Sequence, residues 1–212
     1  MTKFKNVFLL AALAVSAVSF TSCDKESDNE NENNNNNNNT QTADTLVISA
    51  TGVTLPNGET VNTVKALVSG TVSVIATGTY ANGGFTLTLR TPTAAQVDTV
   101  KKSMASTITV TPADAKGTRV DEIRAYSGET LVGSFHHYKR DGGVTTSVTF
   151  YYVDKATILN GSATDSDGIT MNFSNLSLQK GWNKVYQTVN GQTVGFTTTE
   201  PAGLAWGFDA AN

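Results

Sequence analysis

The chain has 212 residues, with 15 Lys+Arg against 18 Asp+Glu, two His, one Cys, two Trp and 18 Gly. That length holds one or at most two domains, and a net charge of −3 gives no basic face for nucleic acid. A single cysteine excludes an internal disulfide framework or a cysteine-based zinc cluster, and 39% hydrophobic residues with abundant Thr and Gly fit a β-rich globular protein.

Residues 1–22 read as a targeting segment: Lys3 and Lys5 form a cationic start, and residues 7–20 are an apolar stretch. Fourteen residues are too few to span hydrocarbon, which needs about 20, but they suit a secretory signal. The stretch ends Phe20-Thr21-Ser22-Cys23, small residues before the chain's one cysteine. This resembles the bacterial lipobox, in which signal peptidase II cuts before a cysteine diacylated on sulfur, although Phe20 stands where Leu is usual. The resemblance implies a signal peptide over 1–22 and an acylated Cys23 that holds the chain on a membrane. At about 0.8 kcal/mol per buried CH₂, two or three acyl chains make such an anchor nearly permanent. An ordinary secretory signal followed by a free thiol is the plainer alternative.

The next five residues, Asp24-Lys25-Glu26-Ser27-Asp28, are similar to the export signal of Bacteroidetes lipoproteins, which implies the bacterial outer membrane and exposure to the cell exterior. A solvated linker would start the same way. Residues 24–44 hold six acids and one base, Lys25, around an unbroken Asn run over 33–39. Nothing there buries apolar area to offset ordering entropy, so 23–44 is expected to be a disordered tether behind the acylated Cys23, with an average reach of about 25 Å. Beyond it, residues 45–212 balance 12 bases against 12 acids.

From Thr45 on, short alternating runs rich in Val, Ile, Thr, Phe and Tyr are separated by Gly, Asn and Asp. Strands are predicted over 46–50, 61–68, 71–79, 85–89, 106–111, 119–126, 130–138, 144–153, 156–160, 168–173, 182–188 and 193–198. Ser69-Gly70 suits a hairpin connection, Asn82-Gly83-Gly84 turns the chain into a run with Phe85, Leu87 and Leu89 inward, and Asp141-Gly142-Gly143 reverses it between two long strands. The one stretch with a helical pattern is 94–104, on a thin face of Val97, Val100 and Met104. Closely spaced strands without regular helices predict an all-β fold, an antiparallel β-sandwich of immunoglobulin-like or prealbumin-like type. Either one larger sandwich covers 45–212, or two packed β units divide near residue 153.

The stretch from Val64 through Ile75-Ala-Thr-Gly-Thr-Tyr-Ala-Asn-Gly-Gly-Phe85 resembles the carboxypeptidase-regulatory or prealbumin-like modules of secreted bacterial proteins. Leu178-Gln-Lys-Gly-Trp-Asn-Lys-Val-Tyr186 is similar to a stretch recurring in Bacteroidetes lipoproteins. Neither resemblance brings a catalytic residue with it.

The chemistry-bearing residues are sparse. The chain lacks a nucleophile-elbow motif, a P-loop and a dinucleotide fingerprint, and no cofactor is expected. His136 and His137 are neighbours on a predicted strand, so their side chains leave opposite faces; the same argument separates Asp121 from Glu122. Asp165-Ser166-Asp167-Gly168 places Asp165 and Asp167 as the start of a calcium loop would, but the position where a distant Glu is needed holds Leu176, and the motif is also a good β-turn. Trp182, Tyr186 and Trp206 are candidates for a platform that stacks sugar rings, with core packing as the alternative. Asp44-Thr45-Leu46 and Asp98-Thr99-Val100 resemble the O-glycosylation acceptor of Bacteroidetes, which implies a modified Thr45. The whole reads as a lipid-anchored surface protein whose β domain binds rather than catalyses. Its expected partners are the membrane, through Cys23, and a glycan or surface protein, with no role for nucleic acid. A structural or adhesive subunit, or a hydrolase with a loop-built site, are the alternatives.

Overall fold

The computed structural model describes residues 45–68 and 73–211. The signal peptide, Cys23, the tether and the Ser69-Gly70 connection lie outside the described residues.

The described residues are nearly all β, in a large sheet rich in antiparallel pairings and without an α-helix. In order, its strands are β1 (Leu46–Ala50), β2 (Thr63–Val68), β3 (Ser73–Ala81), β4 (Gly84–Leu89), β5 (Asp98–Thr99), β6 (Thr109–Thr111), β7 (Lys116–Ser127), β8 (Thr130–Asp141), β9 (Val144–Val153), β10 (Thr157–Thr164), β11 (Thr170–Leu178), β12 (Gly181–Asn190), β13 (Thr193–Thr197) and β14 (Ala205–Ala210). Hydrogen-bonded neighbours run β1-β4-β3-β2-β7-β8-β9-β12-β13-β11-β10-β6, with β14 added to β8 and β5 to β7. All pairings are antiparallel except β11–β13.

Three long strands let the sheet fold over on itself. Residues 120–126 of β7 pair with β2, whereas its residues 117–119 pair with β9. β8 follows β7 over residues 130–135 and β9 only over 138–141, and β14 lies along its other edge. The β8–β9 hairpin is thus joined for four residue pairs next to its turn and then splits, each strand continuing in a different part of the sheet. Gly142 and Gly143, with φ of 52° and 84°, supply the two left-handed positions that this tight reversal needs.

Alternation sets what is buried. β1 reads buried-exposed-buried along Leu46, Val47, Ile48, Ser49 and Ala50, and it meets Phe85, Leu87 and Leu89 of β4 in register. These residues pack with Val64, Ala66, Ile123, Ala125, Phe135, Phe150, Tyr152 and Trp182 into one apolar cluster. β12 is buried on both faces: Trp182 and Tyr186 are 0% and 2% exposed on one side, and Val185 is 0% exposed on the other.

Two elements differ from the sequence expectation. The stretch 94–104 is not an α-helix but two 3-10 turns, Ala94–Gln96 and Val100–Ser103, around β5. A face of three apolar residues offers too little burial to hold a helix, and Thr99 instead takes a ladder position opposite Lys116. β14 falls in a segment with no strand signal, because Ala-Trp-Gly-Phe-Asp-Ala carries no β-branched residue; the open edge of β8 makes it a strand.

Candidate functional site

The three aromatics of the expected platform are separated. Trp182 is wholly buried; its Nε1 donates to the Arg90 carbonyl at 3.0 Å and its ring meets Tyr152 edge-on at 5.6 Å. Tyr186 lies four residues on along the same face and is also buried. Burial, and then a hydrogen bond to Glu200, raise the phenol well above its ordinary pKa. A stacked sugar needs an open ring face, which neither residue has, so both are corrected to core residues. Trp206 is half-buried and stands elsewhere, on β14 directly opposite His137 of β8. The indole and imidazole rings are stacked, 4.7 Å apart and 7° from parallel. The indole edge meets Phe85 at 5.2 Å, and Nε1 donates to the Ser49 carbonyl at 3.1 Å.

Residues 198–204 connect β13 to β14 and run past this pair. Side chains from neighbouring strands hold the segment: Lys139 Nζ donates to the Ala202 carbonyl at 2.9 Å, and Lys184 and Glu200 pair at 3.7 Å. Burial lowers the His137 pKa and Lys184 pushes the same way, against Glu200 and the hydrogen-bonded Leu204 carbonyl. A neutral imidazole on an indole, flanked by one cation and one carboxylate, is therefore the arrangement at this place. One face of the indole is thus taken by His137 and its edge by Phe85, with the two opposite charges beside them.

Sequence reasoning overlooked a second grouping on the opposite face. Ser134 Oγ lies 2.9 Å from His136 Nε2, and Asp209 Oδ2 lies 3.5 Å from the same nitrogen. A nucleophilic relay needs the hydroxyl on one imidazole nitrogen and the carboxylate on the other. Here both partners compete for Nε2, so the trio forms a surface hydrogen-bond cluster without relay geometry. The Ser-x-His spacing was visible as a shared strand face, but Asp209 arrives only through β14. His136 and His137 do point to opposite faces, as strand geometry requires.

The remaining expected sites have local roles. Asp165 Oδ1 accepts from the backbone N–H of both Asp167 and Ile169 at 2.9 Å, and the Asp165 carbonyl accepts from Gly168 N–H at 3.2 Å. This is a side-chain-capped turn. Among the described residues no group of three His, Cys, Asp or Glu side chains is placed to hold a metal ion. Asp121 and Glu122 are not a catalytic pair: Arg119 donates to Asp121 at 2.6 Å, and Arg124 pairs with Glu122. Thr45 is half-buried at the start of β1 and Asp44 lies outside the described residues, whereas Asp98 caps its neighbour's N–H at 2.8 Å and pairs with Lys102 at 2.7 Å. Compared with protein-family models, with curated proteins and with solved structures, the chain matches none.

Proposed function

We propose that this chain is a lipid-anchored protein of the bacterial outer surface whose β domain binds a partner and does no covalent chemistry. The anchor is assigned to Cys23 and the spacing to the acidic, Asn-rich segment that follows it. The observation that carries the binding reading is the half-exposed Trp206, stacked on His137 beside the Lys184–Glu200 pair. It favours a glycan or a polar surface partner.

Two measurements test this. Metabolic labelling with a palmitate analogue marks the wild-type chain and leaves Cys23→Ser unmarked and free of the membrane fraction; an unlabelled wild type refutes the anchor. Titration of the full chain with a panel of neutral and charged oligosaccharides changes its tryptophan fluorescence, and Trp206→Phe removes that change. A change that survives in Trp206→Phe refutes the assignment of the site.

A further inference from the structure

Charge is distributed unevenly over the strands. β7 and β8 carry eight Lys, Arg, Asp and Glu between them, Lys116, Arg119, Asp121, Glu122 and Arg124 on the first and Lys139, Arg140 and Asp141 on the second. β13, β11, β10 and β6, which follow one another at the far end of the ladder beyond β9 and β12, carry none. All 24 Lys, Arg, Asp and Glu of residues 45–212 lie elsewhere, although about one residue in seven of that region is charged.

Apart from Ile158, the outward side chains of these strands are polar and neutral. Register places Thr111, Ile158 and Ser177 in one row across β6, β10 and β11, and Thr164, Thr170 and Thr193 in another across β10, β11 and β13. Asn160 and Asn172 stand between the rows, and Asn160 Oδ1 accepts from the Asn175 N–H at 3.2 Å. The inward positions, such as Leu159, Phe173, Leu176 and Phe196, form the buried side. At about 3.3 Å per residue, β10 and β11 give this face a length of roughly 25–30 Å.

A solvated sheet face ordinarily mixes both signs of charge, so an extended face without any calls for a reason. Edge protection is not that reason, because the edge strand β6 is already blunted to three residues. A protein interface is a poor fit as well, since such surfaces are rich in aromatics, Met and Arg and poor in Ser. Hydroxyls and amides donate and accept hydrogen bonds alike, and one exposed aliphatic side chain, Ile158, sits among them. Those are the groups that complement a ligand with many hydroxyls, apolar C–H faces and no charge. We infer that the β6-β10-β11-β13 face is a docking surface for a neutral polysaccharide. This inference rests on the binding reading above and gives it a second place and a ligand class.

The experiment uses the full chain in detergent, run through native gels containing dextran, mannan, arabinogalactan or xyloglucan, with heparin and polygalacturonate as charged counterparts. At least one neutral polymer slows the protein, and the retardation persists from 50 to 500 mM salt because no charge is screened. The near-isosteric double variant Asn160→Asp, Asn172→Asp keeps the Asn175 acceptor and the fold, verified by an unchanged melting temperature. It weakens neutral-polymer binding at least tenfold, while Asp98→Asn on β5, outside this face, leaves the retardation within twofold. Retardation by the charged polymers alone, or a double variant that binds like wild type, overturns the inference. Neutral-polymer binding abolished by Trp206→Phe and untouched by the Asp substitutions overturns it while leaving the binding reading standing. A sedimentation dimer that the Asp substitutions dissociate, with no polymer bound, overturns it in favour of self-association. No retardation by any polymer, with the chain monomeric, overturns it too.

Discussion

His137 and Trp206 are direct cross-strand partners on β8 and β14, and their rings lie 7° from parallel at 4.7 Å. Their union does more than present an aromatic surface. Through Trp206 Nε1 and the Ser49 carbonyl it also ties β14 to β1, the two strands at opposite ends of the ladder that runs through β4, β3, β2, β7 and β8. One side chain thereby closes a layer that no backbone pairing closes.

Trp206→Ala removes the stack, the Phe85 edge contact and the Ser49 hydrogen bond together. Because the residue is half-buried, the expected loss is about 2–3 kcal/mol, below the roughly 3–5 kcal/mol of a fully buried tryptophan such as Trp182. Urea unfolding of both alanine variants checks the order; equal costs refute the distinction between the two residues.

Stability should fall with acid through His137. Burial holds its folded-state pKa below the unfolded value of about 6.5, so the unfolded chain binds the proton more readily. The contribution is complete above that value and is lost as pH drops from about 6.5 to the lower folded value. His137→Gln flattens the slope of unfolding free energy between pH 7.5 and 5. An unchanged slope refutes the assignment.

Gly133 admits β14 to the sheet. A methyl group there would collide with the Asp209 carbonyl oxygen and the Phe208 ring, and the backbone oxygen has no freedom to yield. Gly133→Ala is expected to cost about 1–3 kcal/mol and to speed amide exchange in β14 while β1 to β4 stay protected.

The Asp165 turn is expected to hold without metal, on its own side-chain cap. Asp165→Asn keeps an acceptor oxygen and leaves the melting temperature nearly unchanged, whereas Asp165→Ala strands two backbone donors at a cost of about 1–2 kcal/mol. Chelation with EDTA leaves the wild-type melting curve in place; a downward shift would restore calcium to this loop.

Much of the architecture was legible before any coordinates. The alternation of Phe85, Leu87 and Leu89, the Asp141-Gly142-Gly143 reversal and the opposite faces of His136 and His137 follow from a two-residue period and from turn chemistry, which act within a few residues of chain. The role of Trp182 was not legible: period-2 patterning says which side chains share a face, but not whether another layer covers it, and both faces of β12 are covered. β14 was invisible for a related reason, since its strand character comes from the backbone donors and acceptors that β8 leaves open, 67 or more residues earlier in the chain. The Ser134–His136–Asp209 cluster and the Trp206–Ser49 tie depend on that same pairing, and the uncharged face depends on the separate pairings of β6, β10, β11 and β13. Local sequence determined the strands and their inward sides, while only the tertiary fold, by choosing which distant edges meet, decided which side chains became neighbours.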